Sequence, residues 1–379
     1  MSNTTTAAKQ RYAGYKADHV GSFLRPESIK QGRLDLAAGK ISPEQLRAIE
    51  DQEIIKLVAE QKKVGIQAIT DGELRRAWWH FDFMENLVGA EGYEAEQGMA
   101  FKGVVTKPHN VRVVGRLDFD EHHPHLADYR FLHGAVGDGG EFVAKMTLPS
   151  PNMMMRPNIR NNAYYGDDIE GYVRDLGLAY RKAIKVFYDL GCRYLQLDDV
   201  FWAYLCSAEQ CEKERALGMD PQRLAQYCVD TLNIALEDKP DDLVIGMHIC
   251  RGNFSSTWHY EGGYDVIEDF IFKNLVNIDR YFLEYDTERA GGFAPLAKLN
   301  GSDAEVVLGL VTSKVGELES KKDILARIHE AAQYLPLSQL ALSPQCGFSS
   351  TEEGNKVSIQ SQWDKLTFIR EVAQTVWPV

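Results

Sequence analysis

Short runs of apolar residues recur along the chain, and the segments between most of them carry apolar residues at the spacing of an α-helix. Several runs lack alternation of apolar and polar positions, which is typical of strands buried on both faces of a parallel sheet. The pattern predicts eight strands, near residues 17–22, 66–71, 141–149, 194–199, 244–250, 280–285, 305–312 and 340–346. It predicts helices at 43–63, 168–190, 221–237, 320–334 and 355–376.

Eight strands separated by helices predict a (β/α)8 barrel, so we expect a single TIM-type α/β barrel over residues 1–379. An open doubly wound sheet is the alternative, but the strand count and the even spread of polar strand ends favour closure. Residues 92–138 depart from the alternation of strands and helices and contain two strand-like segments, GMAFKGVVTK and NVRVVGRLDF. We expect a β-hairpin insertion there, between the second and third barrel strands, that serves as a lid or as the contact of a homodimer.

Composition excludes some classes of partner. The net charge of −13 argues against nucleic acid or an anionic membrane, because both require clustered Lys and Arg. No apolar run approaches the length of a transmembrane helix, and the first residues lack the apolar segment of a signal peptide. The six cysteines are widely spread, which favours reduced thiols over a disulfide framework. These features predict a soluble cytoplasmic globular protein.

Polar side chains follow several of the predicted strands. Because TIM barrels carry their active sites at the carboxyl ends of the strands, the convergence of such residues at this end predicts an enzyme. The candidates are His19 and Ser22 in HVGS, Asp71 and Glu73 in TDGE, Asp198 and Asp199 in LQLDD, His248 and Cys250 in MHIC, Glu284 in YFLEYD, and Cys346 in SPQC.

Four of these residues are ligands of the kind that zinc prefers, namely His248, Cys250, Glu284 and Cys346. His248 and Cys250 are two positions apart, so along a strand both side chains point to the same face and can bind one ion. Glu284 and Cys346 follow later strands, which indicates a site assembled by the fold. A zinc ion that only stabilises the barrel is one alternative, although such sites usually contain close CxxC pairs. Buried cysteines without a metal are another alternative.

The charge of such a site indicates its chemistry. Two thiolates and a carboxylate around Zn²⁺ leave a net negative charge, and a substrate thiol that joins them would be a thiolate at neutral pH. Glu284 is the hardest of the four ligands and the one expected to loosen and make room. The predicted reaction class is alkyl transfer to a zinc-bound thiolate.

Two further carboxylates are candidates for substrate contacts. Glu73 and Asp198 could bind a substrate ammonium group or act as a general acid and base, and Asp198 could instead cap a strand end. The residues after Glu73 include Arg75, Arg76 and two tryptophans, which fit a helix N-terminus with core aromatics.

The remaining histidines and cysteines are predicted to be mainly structural. His122, His123 and His125 lie in a polar segment with a proline, which favours a solvated loop over a second metal site. His259 is a weaker candidate for a substrate or proton-transfer role. The other cysteines fall on predicted helices or at their edges and are expected to pack there, at positions Cys192, Cys206, Cys211 and Cys228.

The motifs HVGSFLRP, TDGELRRAWWHFDF, LQLDD, MHICRGNF and SPQCGF together resemble the catalytic C-terminal barrel of cobalamin-independent methionine synthase, and most closely its short single-barrel relatives of the YxjG/YxjH type. The resemblance covers nearly the whole chain. It implies a TIM-type barrel with zinc on the four ligands above and homocysteine bound through its sulfur. It also implies that Asp198 and Glu73 hold the amino group of homocysteine, and that the HVGS turn with Ser22 meets its carboxylate.

The implied activity is that of a 5-methyltetrahydropteroyltriglutamate–homocysteine S-methyltransferase, which forms methionine in one displacement step. Two features depart from the long enzymes of the family. Those enzymes carry a second, N-terminal barrel that contributes to the folate site, and this sequence does not contain it. Their seventh strand ends with a histidine that protonates the leaving pterin, whereas LGLVTSKVGELES has Thr312 or Ser313 there. The sequence therefore does not decide whether the methyl donor is methyltetrahydrofolate or another compound. His19 or Asp199 could replace the missing histidine as the source of the proton.

Two other functions remain open at this stage. Coenzyme-M alkyl transferases resemble this family, but Glu73 and Asp198 favour an amino-acid thiol, because a sulfonate thiol has no ammonium group to pair with them. The second open function is that of a non-catalytic zinc barrel, which stores metal or binds a partner. The carboxylates predicted on the same face as the metal argue against it.

Overall fold

The computed structural model of the chain describes residues 15–101, 103–138 and 140–378. Its strands are β1 (Ala68–Ile69), β2 (Val88–Glu94), β3 (Ala100–Phe101), β4 (Val104–Val105), β5 (His109–Asp118), β6 (Val143–Pro149), β7 (Tyr194–Asp199), β8 (Val244–Ile249), β9 (Arg280–Glu284), β10 (Glu305–Val311) and β11 (Leu340–Pro344). Seven of them form one curled parallel sheet in the order β1-β6-β7-β8-β9-β10-β11. The predicted TIM-type α/β fold is confirmed.

The segment 16–23 lies between the two edge strands of this sheet and takes the place of the eighth strand. Ala17 pairs in parallel with Leu342 of β11, and the Phe23 amide donates to the Gly72 carbonyl after β1 at 3.0 Å. The predicted strand over 17–22 is regular only at Ala17, because later carbonyls of the segment bond to side chains. The Val20 carbonyl, for example, accepts a hydrogen bond from Gln196 Nε2 at 2.5 Å.

Helices cover the outside of the sheet, and five of them match the predicted helices to within a few residues. All five begin at a Ser or Asp whose side chain accepts a hydrogen bond from the first turn, as Ser42 does in a capping box. Among the described residues no helix is both long and apolar enough to cross a membrane. The helices are α1 (Glu27–Ala37), α2 (Pro43–Val64), α3 (Phe81–Met84), α4 (Pro124–Val136), α5 (Pro157–Arg160), α6 (Ile169–Asp189), α7 (Phe201–Cys206), α8 (Ala208–Ala216), α9 (Pro221–Leu236), α10 (Lys321–Ala331) and α11 (Ile359–Val376).

The insertion between the second and third barrel positions consists of two antiparallel ladders. β2 pairs with β5, and the short β3 and β4 form a hairpin between them. The insertion begins at Val88, before the predicted residue 92, and its strands end at Asp118. The predicted stretch up to residue 138 is too long because its last part is helix α4, which contacts α2 and β6 as a barrel helix does.

The prediction of a solvated loop at residues 122–125 holds for His122, which is exposed in a turn, and is wrong for His123 and His125, which are buried. His123 caps the start of α4, and its Nε2 lies 3.0 Å from the Phe83 carbonyl. His125 is also buried, with its ring 5.6 Å from that of Phe83. Apolar packing with Phe83 and Phe119 on neighbouring elements encloses both rings, which local polarity of the sequence does not reveal.

A network of buried ions occupies the amino end of the barrel. Asp18 lies at its centre, 3.1 Å from Lys145 Nζ and 2.8 Å from Arg280 Nη1. The Tyr194 hydroxyl also donates to Asp18, at 2.8 Å, and Arg280 Nε pairs with Glu305 at 3.1 Å. All five side chains come from the amino ends of strands or from the segment 16–23. Each charge in this network has an opposite charge beside it.

Candidate metal centre and its cavity

The four predicted metal ligands lie together at the opposite, carboxyl end of the barrel. One ligand atom from each of His248, Cys250, Glu284 and Cys346 lies within 4.8 Å of the others, and all four residues are buried. The two sulfur atoms are 3.5 Å apart. Since zinc holds each thiolate sulfur at about 2.3 Å, this separation suits two ligands of one ion.

Strand register explains how residues distant in sequence reach one point. His248 and Glu284 lie in adjacent parallel strands, β8 and β9, and Glu284 ends its strand. Gly309 of β10 is paired with Glu284 in the register. A Cβ atom at Gly309 would lie only 2.8 Å from the Gln345 Cα, so glycine here allows the chain that carries Cys346 to approach Glu284.

Two buried polar atoms of the cluster have no hydrogen-bond partner among the described residues. His248 Nδ1 lies 3.3 Å from the Phe282 carbonyl, which leaves Nε2 unpaired. Glu284 Oε1 accepts a hydrogen bond from the Arg251 amide at 2.7 Å, while Oε2 is buried and unpaired. Buried polar atoms without partners are costly, so these two point to a ligand. A nitrogen, a carboxylate oxygen and two sulfurs are a donor set that zinc accepts.

The pKa values within the cluster are displaced from their ordinary range. The hydrogen bond between the two thiols holds the pKa of Cys346 well below its usual range and, together with burial, raises that of Cys250. Burial disfavours the charged imidazole of His248, but the neighbouring Cys346, with Asp198 and Glu284, raises its pKa to about 9. The cluster therefore favours a Cys346 thiolate even without a metal ion.

Two buried carboxylates, Asp198 and Glu73, lie beside the cluster on the same cavity. Asp198 is paired with His248 in the register of β7 and β8, and burial raises its pKa to about 7, with the neighbouring Glu73 acting in the same direction. Glu73 accepts a hydrogen bond from Thr147 Oγ1 at 2.8 Å and pairs with Arg76 at 3.4 Å, but its Oε2 is unpaired. Burial also raises the pKa of Glu73.

Glu73 has a backbone φ of +57°, in the left-handed region that residues other than glycine rarely adopt. Such conformations cost about 1–3 kcal/mol and concentrate at functional sites. The conformation directs the carboxylate into the cavity beside Asp198. The sequence TDGE alone does not reveal this strain.

The cavity and the solvent-filled mouth above it together occupy about 710 Å³, with polar residues at the floor and aromatic residues along the wall. The floor contains His248, Cys250, Cys346, Asp198, Glu73 and Ser22, and the wall contains Trp78, Trp79, His80, Phe254, His259 and Tyr260. The insertion completes the wall through Met99, Phe101 and Thr106, which belong to or flank the β3–β4 hairpin. The predicted role of the insertion as a cover of the site agrees with this position, while its role in a dimer stays a prediction.

Several predicted residues do not face the cavity. The His19 ring turns away from it, with Nε2 2.9 Å from the Ala68 carbonyl, and burial lowers its pKa to about 4. Asp199 accepts hydrogen bonds from the Phe201 amide, at 2.7 Å, from the Trp202 amide and from Asn152 Nδ2, so its carboxylate is held by the first turn of α7 and by Asn152. Both side chains are therefore held by groups outside the cavity, and the roles of His19 in substrate binding and of either residue as a proton source stay predictions.

Other residues at the site were missed from the sequence. Trp78 and Trp79 pack in or against the core, as predicted, but they also line the cavity, and so do His80 and Arg156. Gln196 donates a hydrogen bond to Asp198 Oδ1 at 2.7 Å and so fixes that carboxylate. The alternation of Gln196 and Asp198 along β7 could have indicated this contact, because both side chains point to the same face.

The fold and the cluster define a TIM-type barrel with a candidate metal centre at the carboxyl ends of its strands. Residues 16–374 match the family described as cobalamin-independent synthase, catalytic domain. The chain belongs to this family.

The chain is 50% identical to the uncharacterized protein YxjG of Bacillus subtilis (strain 168), over the full length of both. It is similar to a solved structure from Listeria monocytogenes, with 46% identity, a TM-score of 0.77, and coverage of 96% of this chain and 98% of the other. It also shares its fold with a B12-independent methionine synthase from Shewanella sp. W3-18-1 in complex with selenomethionine, at 17% identity, a TM-score of 0.70, and coverage of 96% and 97%.

Proposed function

We propose that the protein is a zinc-dependent methyltransferase that methylates the sulfur of homocysteine and so forms methionine. The observation that carries the proposal is the convergence of four buried ligands on one point, with His248 Nε2 and Glu284 Oε2 unpaired, on the floor of a cavity that also holds Asp198 and Glu73. Membership of the cobalamin-independent synthase family supports it.

The four side chains fit a zinc ion by their chemistry. His248, Cys250, Glu284 and Cys346 would hold the ion, and the cavity leaves one side of the cluster open, as a catalytic site requires. When bound, zinc would lower the pKa of an acceptor thiol so that the thiol enters the reaction as a thiolate.

The acceptor is proposed to be an amino-acid thiol because of the carboxylates on the floor. The carboxyl groups of Asp198 and Glu73 lie near each other. A substrate ammonium group between them would stabilise the charged form of both. Ser22, which accepts a hydrogen bond from the Ser349 amide at 3.3 Å, faces the same space and is proposed to meet the substrate carboxylate. A thiol without an amino group would leave Asp198 without an ammonium partner and would leave Glu73 with Arg76 alone.

In the reaction, the acceptor thiolate supplies the electron pair of the new C–S bond to the methyl carbon. The bond between that carbon and the donor breaks, and its electron pair leaves with the donor. The aromatic wall excludes water from the floor, which favours reaction at the bound sulfur over hydrolysis of the donor. Asp198, Glu73 and Ser22 orient the acceptor so that its sulfur faces the mouth.

We further propose that the donor is an activated methyl compound and that methyltetrahydrofolate is a poor donor. The Ser313 hydroxyl, near the end of β10, donates to the Gly347 carbonyl at 2.9 Å. The Thr312 amide bonds to Glu319, and neither residue lines the cavity. No hydroxyl at this position can protonate a leaving pterin near neutral pH.

Calorimetric titration of zinc-loaded protein with homocysteine, together with a panel of methyl donors followed by methionine formation, tests the proposal. We expect homocysteine to bind with release of a proton, and binding to be lost in Cys346→Ser but retained in the matched variant Cys211→Ser. Cys211 is a buried cysteine that lies on α8 and not in the cluster. Absence of thiol binding would refute the transferase, a preference for a sulfonate thiol would refute homocysteine, and rapid turnover with monoglutamate methyltetrahydrofolate would refute the donor class.

A further inference from the structure

Lys314 is a buried lysine near the metal cluster that the mechanism above does not use. The residue is 8% exposed, and its Nζ has no hydrogen-bond partner among the described residues. A buried ammonium ion without a partner costs several kcal/mol relative to water. Its burial therefore requires compensating negative charge nearby.

The fold places Lys314 between two of the anionic ligands. It follows β10 by three residues, and β10 lies between β9, which ends in Glu284, and β11, which leads to Cys346. Two hydrogen bonds tie its neighbour Ser313 to the chain that carries Cys346. The Ser313 amide donates to Gln345 Oε1 at 2.5 Å, and its hydroxyl donates to the Gly347 carbonyl at 2.9 Å.

The acids near Lys314 in sequence do not neutralise it. Glu319 accepts hydrogen bonds from Lys365 Nζ, at 3.2 and 3.3 Å, and Lys365 also donates to the Glu317 carbonyl at 2.6 Å. The positive charge of Lys314 instead acts on Glu284, Cys250 and Cys346, and it favours the charged form of each. The counter-charge of this lysine is thus the metal cluster itself.

The negative charge of the cluster would increase when an acceptor thiolate binds. With zinc present, two thiolates and the Glu284 carboxylate give a net charge of −1, and an acceptor thiolate makes it −2. Glu284 is the ligand best suited to withdraw, because carboxylate oxygen is harder than sulfur and Oε2 has no other contact. A withdrawn carboxylate in this buried site needs a cation to receive it.

We infer that Lys314 is the positioning residue that receives the Glu284 carboxylate when an acceptor thiolate enters the metal site. The inference rests on the proposed function. Lys314 then stabilises the thiol-bound state more than the thiol-free state, and so it strengthens thiol binding without being a metal ligand itself.

Substitution at Lys314 separates this role from a purely structural one. Lys314→Met keeps the apolar stem and removes the charge, while Lys314→Arg keeps the charge. Lys365→Met is the matched control, because Lys365 is a fully buried lysine at the same end of the barrel whose ammonium has partners of its own. Unfolding in urea identifies any variant that does not fold.

The decisive experiment is calorimetric titration of zinc-loaded wild-type protein and the three variants with homocysteine, with zinc content measured in parallel. We expect every protein to retain one zinc ion, and Lys314→Met to bind homocysteine about 10- to 100-fold more weakly. Lys314→Arg should bind within a few-fold of wild type, and Lys365→Met should bind as wild type does. X-ray absorption should show the oxygen ligand leaving the metal on thiol binding in wild type and staying in Lys314→Met.

Each outcome decides the inference. Equal homocysteine affinity in Lys314→Met and wild type would overturn it and leave the transferase intact. Equal weakening in Lys314→Arg and Lys314→Met would also overturn it, because charge would then be irrelevant. If wild-type protein binds no thiol, the proposed function and the inference both fail. If Lys314→Met does not fold, Lys314→Gln and the arginine variant are compared in the same way.

Discussion

The barrel holds buried charges at both ends, and the two sets differ in how they are paired. At the amino end, Asp18 is surrounded by Lys145, Arg280 and Tyr194 at 2.8–3.1 Å. At the carboxyl end, buried atoms of His248, Glu284, Glu73 and Lys314 have no partner among the described residues. Both sets are equally hidden from water, so burial alone does not separate structural from functional ions.

The difference lies in what each end requires from outside the chain. In the amino-end network each charge lies beside an opposite charge of the protein itself. The carboxyl-end atoms face one point and one cavity, so a metal ion and a substrate are needed to complete their contacts. Substitutions at the amino end should therefore change stability, and substitutions at the carboxyl end should change binding.

Cys346→Ser should have the largest effect on binding. A serine hydroxyl is not deprotonated as a thiol is, so the affinity for zinc should fall by about 100-fold or more, and methyl transfer should be lost. The free energy of unfolding of the metal-free protein should change by less than about 1 kcal/mol. Zinc content after dialysis against a chelator and urea unfolding measure the two effects. Full retention of zinc in this variant would contradict the assignment of the cluster.

Lys145→Met should have the largest effect on stability. It removes one of the two cations beside the fully buried Asp18, which should cost about 3–5 kcal/mol in urea unfolding. Zinc content and homocysteine affinity of the folded protein should not change. Lys182→Met is the control, since it breaks an exposed pair with Asp118 and should cost at most about 1 kcal/mol. If both variants lost a similar free energy of unfolding, the amino-end network would not have the structural role assigned to it.

Asp198→Asn should weaken homocysteine binding while zinc is retained. Loss of a charged hydrogen bond to the substrate ammonium costs about 1.5–3 kcal/mol, or roughly 10- to 100-fold in Kd. The matched ligand is 3-mercaptopropionate, which has no amino group and should bind wild type and variant alike. If both ligands weaken equally, Asp198 does not contact the ammonium group.

The pH dependence of stability should show the smallest effect. Burial raises the pKa of Asp198 to about 7, well above the unfolded value near 4, so between these values the folded metal-free protein holds a proton that the unfolded chain has lost. Stability from this group therefore falls as pH rises, by up to about 1.4 kcal/mol per pH unit. Urea unfolding at pH 5 and pH 6 in the presence of chelator should show this fall in wild type and a smaller one in Asp198→Asn. Parallel curves would show that Asp198 is ionised throughout.

The fold was largely predictable from the sequence because buried parallel strands leave unbroken apolar runs. The four metal ligands were predictable too, since each follows such a run and parallel strands end at the same side of a barrel. The segment 16–23 was less predictable, because its carbonyls bond to side chains of distant residues such as Gln196.

The rest of the site depended on contacts that no local pattern contains. His19 follows the same kind of run as the ligands, yet its ring bonds to the Ala68 carbonyl outside the cavity. Trp78 and Trp79 lie in a short-range pattern typical of a core, but the β3–β4 hairpin leaves a cavity against them. The role proposed for Lys314 could not be predicted from the sequence, because it depends on the absence of a hydrogen-bond partner for its ammonium group in the folded protein.

The central claim is that the unpaired carboxyl-end cluster holds a metal ion that binds the substrate sulfur. X-ray absorption of the zinc-loaded protein, before and after addition of homocysteine, tests it most directly. The account predicts two sulfur ligands before addition, from Cys250 and Cys346, and three afterwards. A count that stays at two in the presence of saturating homocysteine would contradict it.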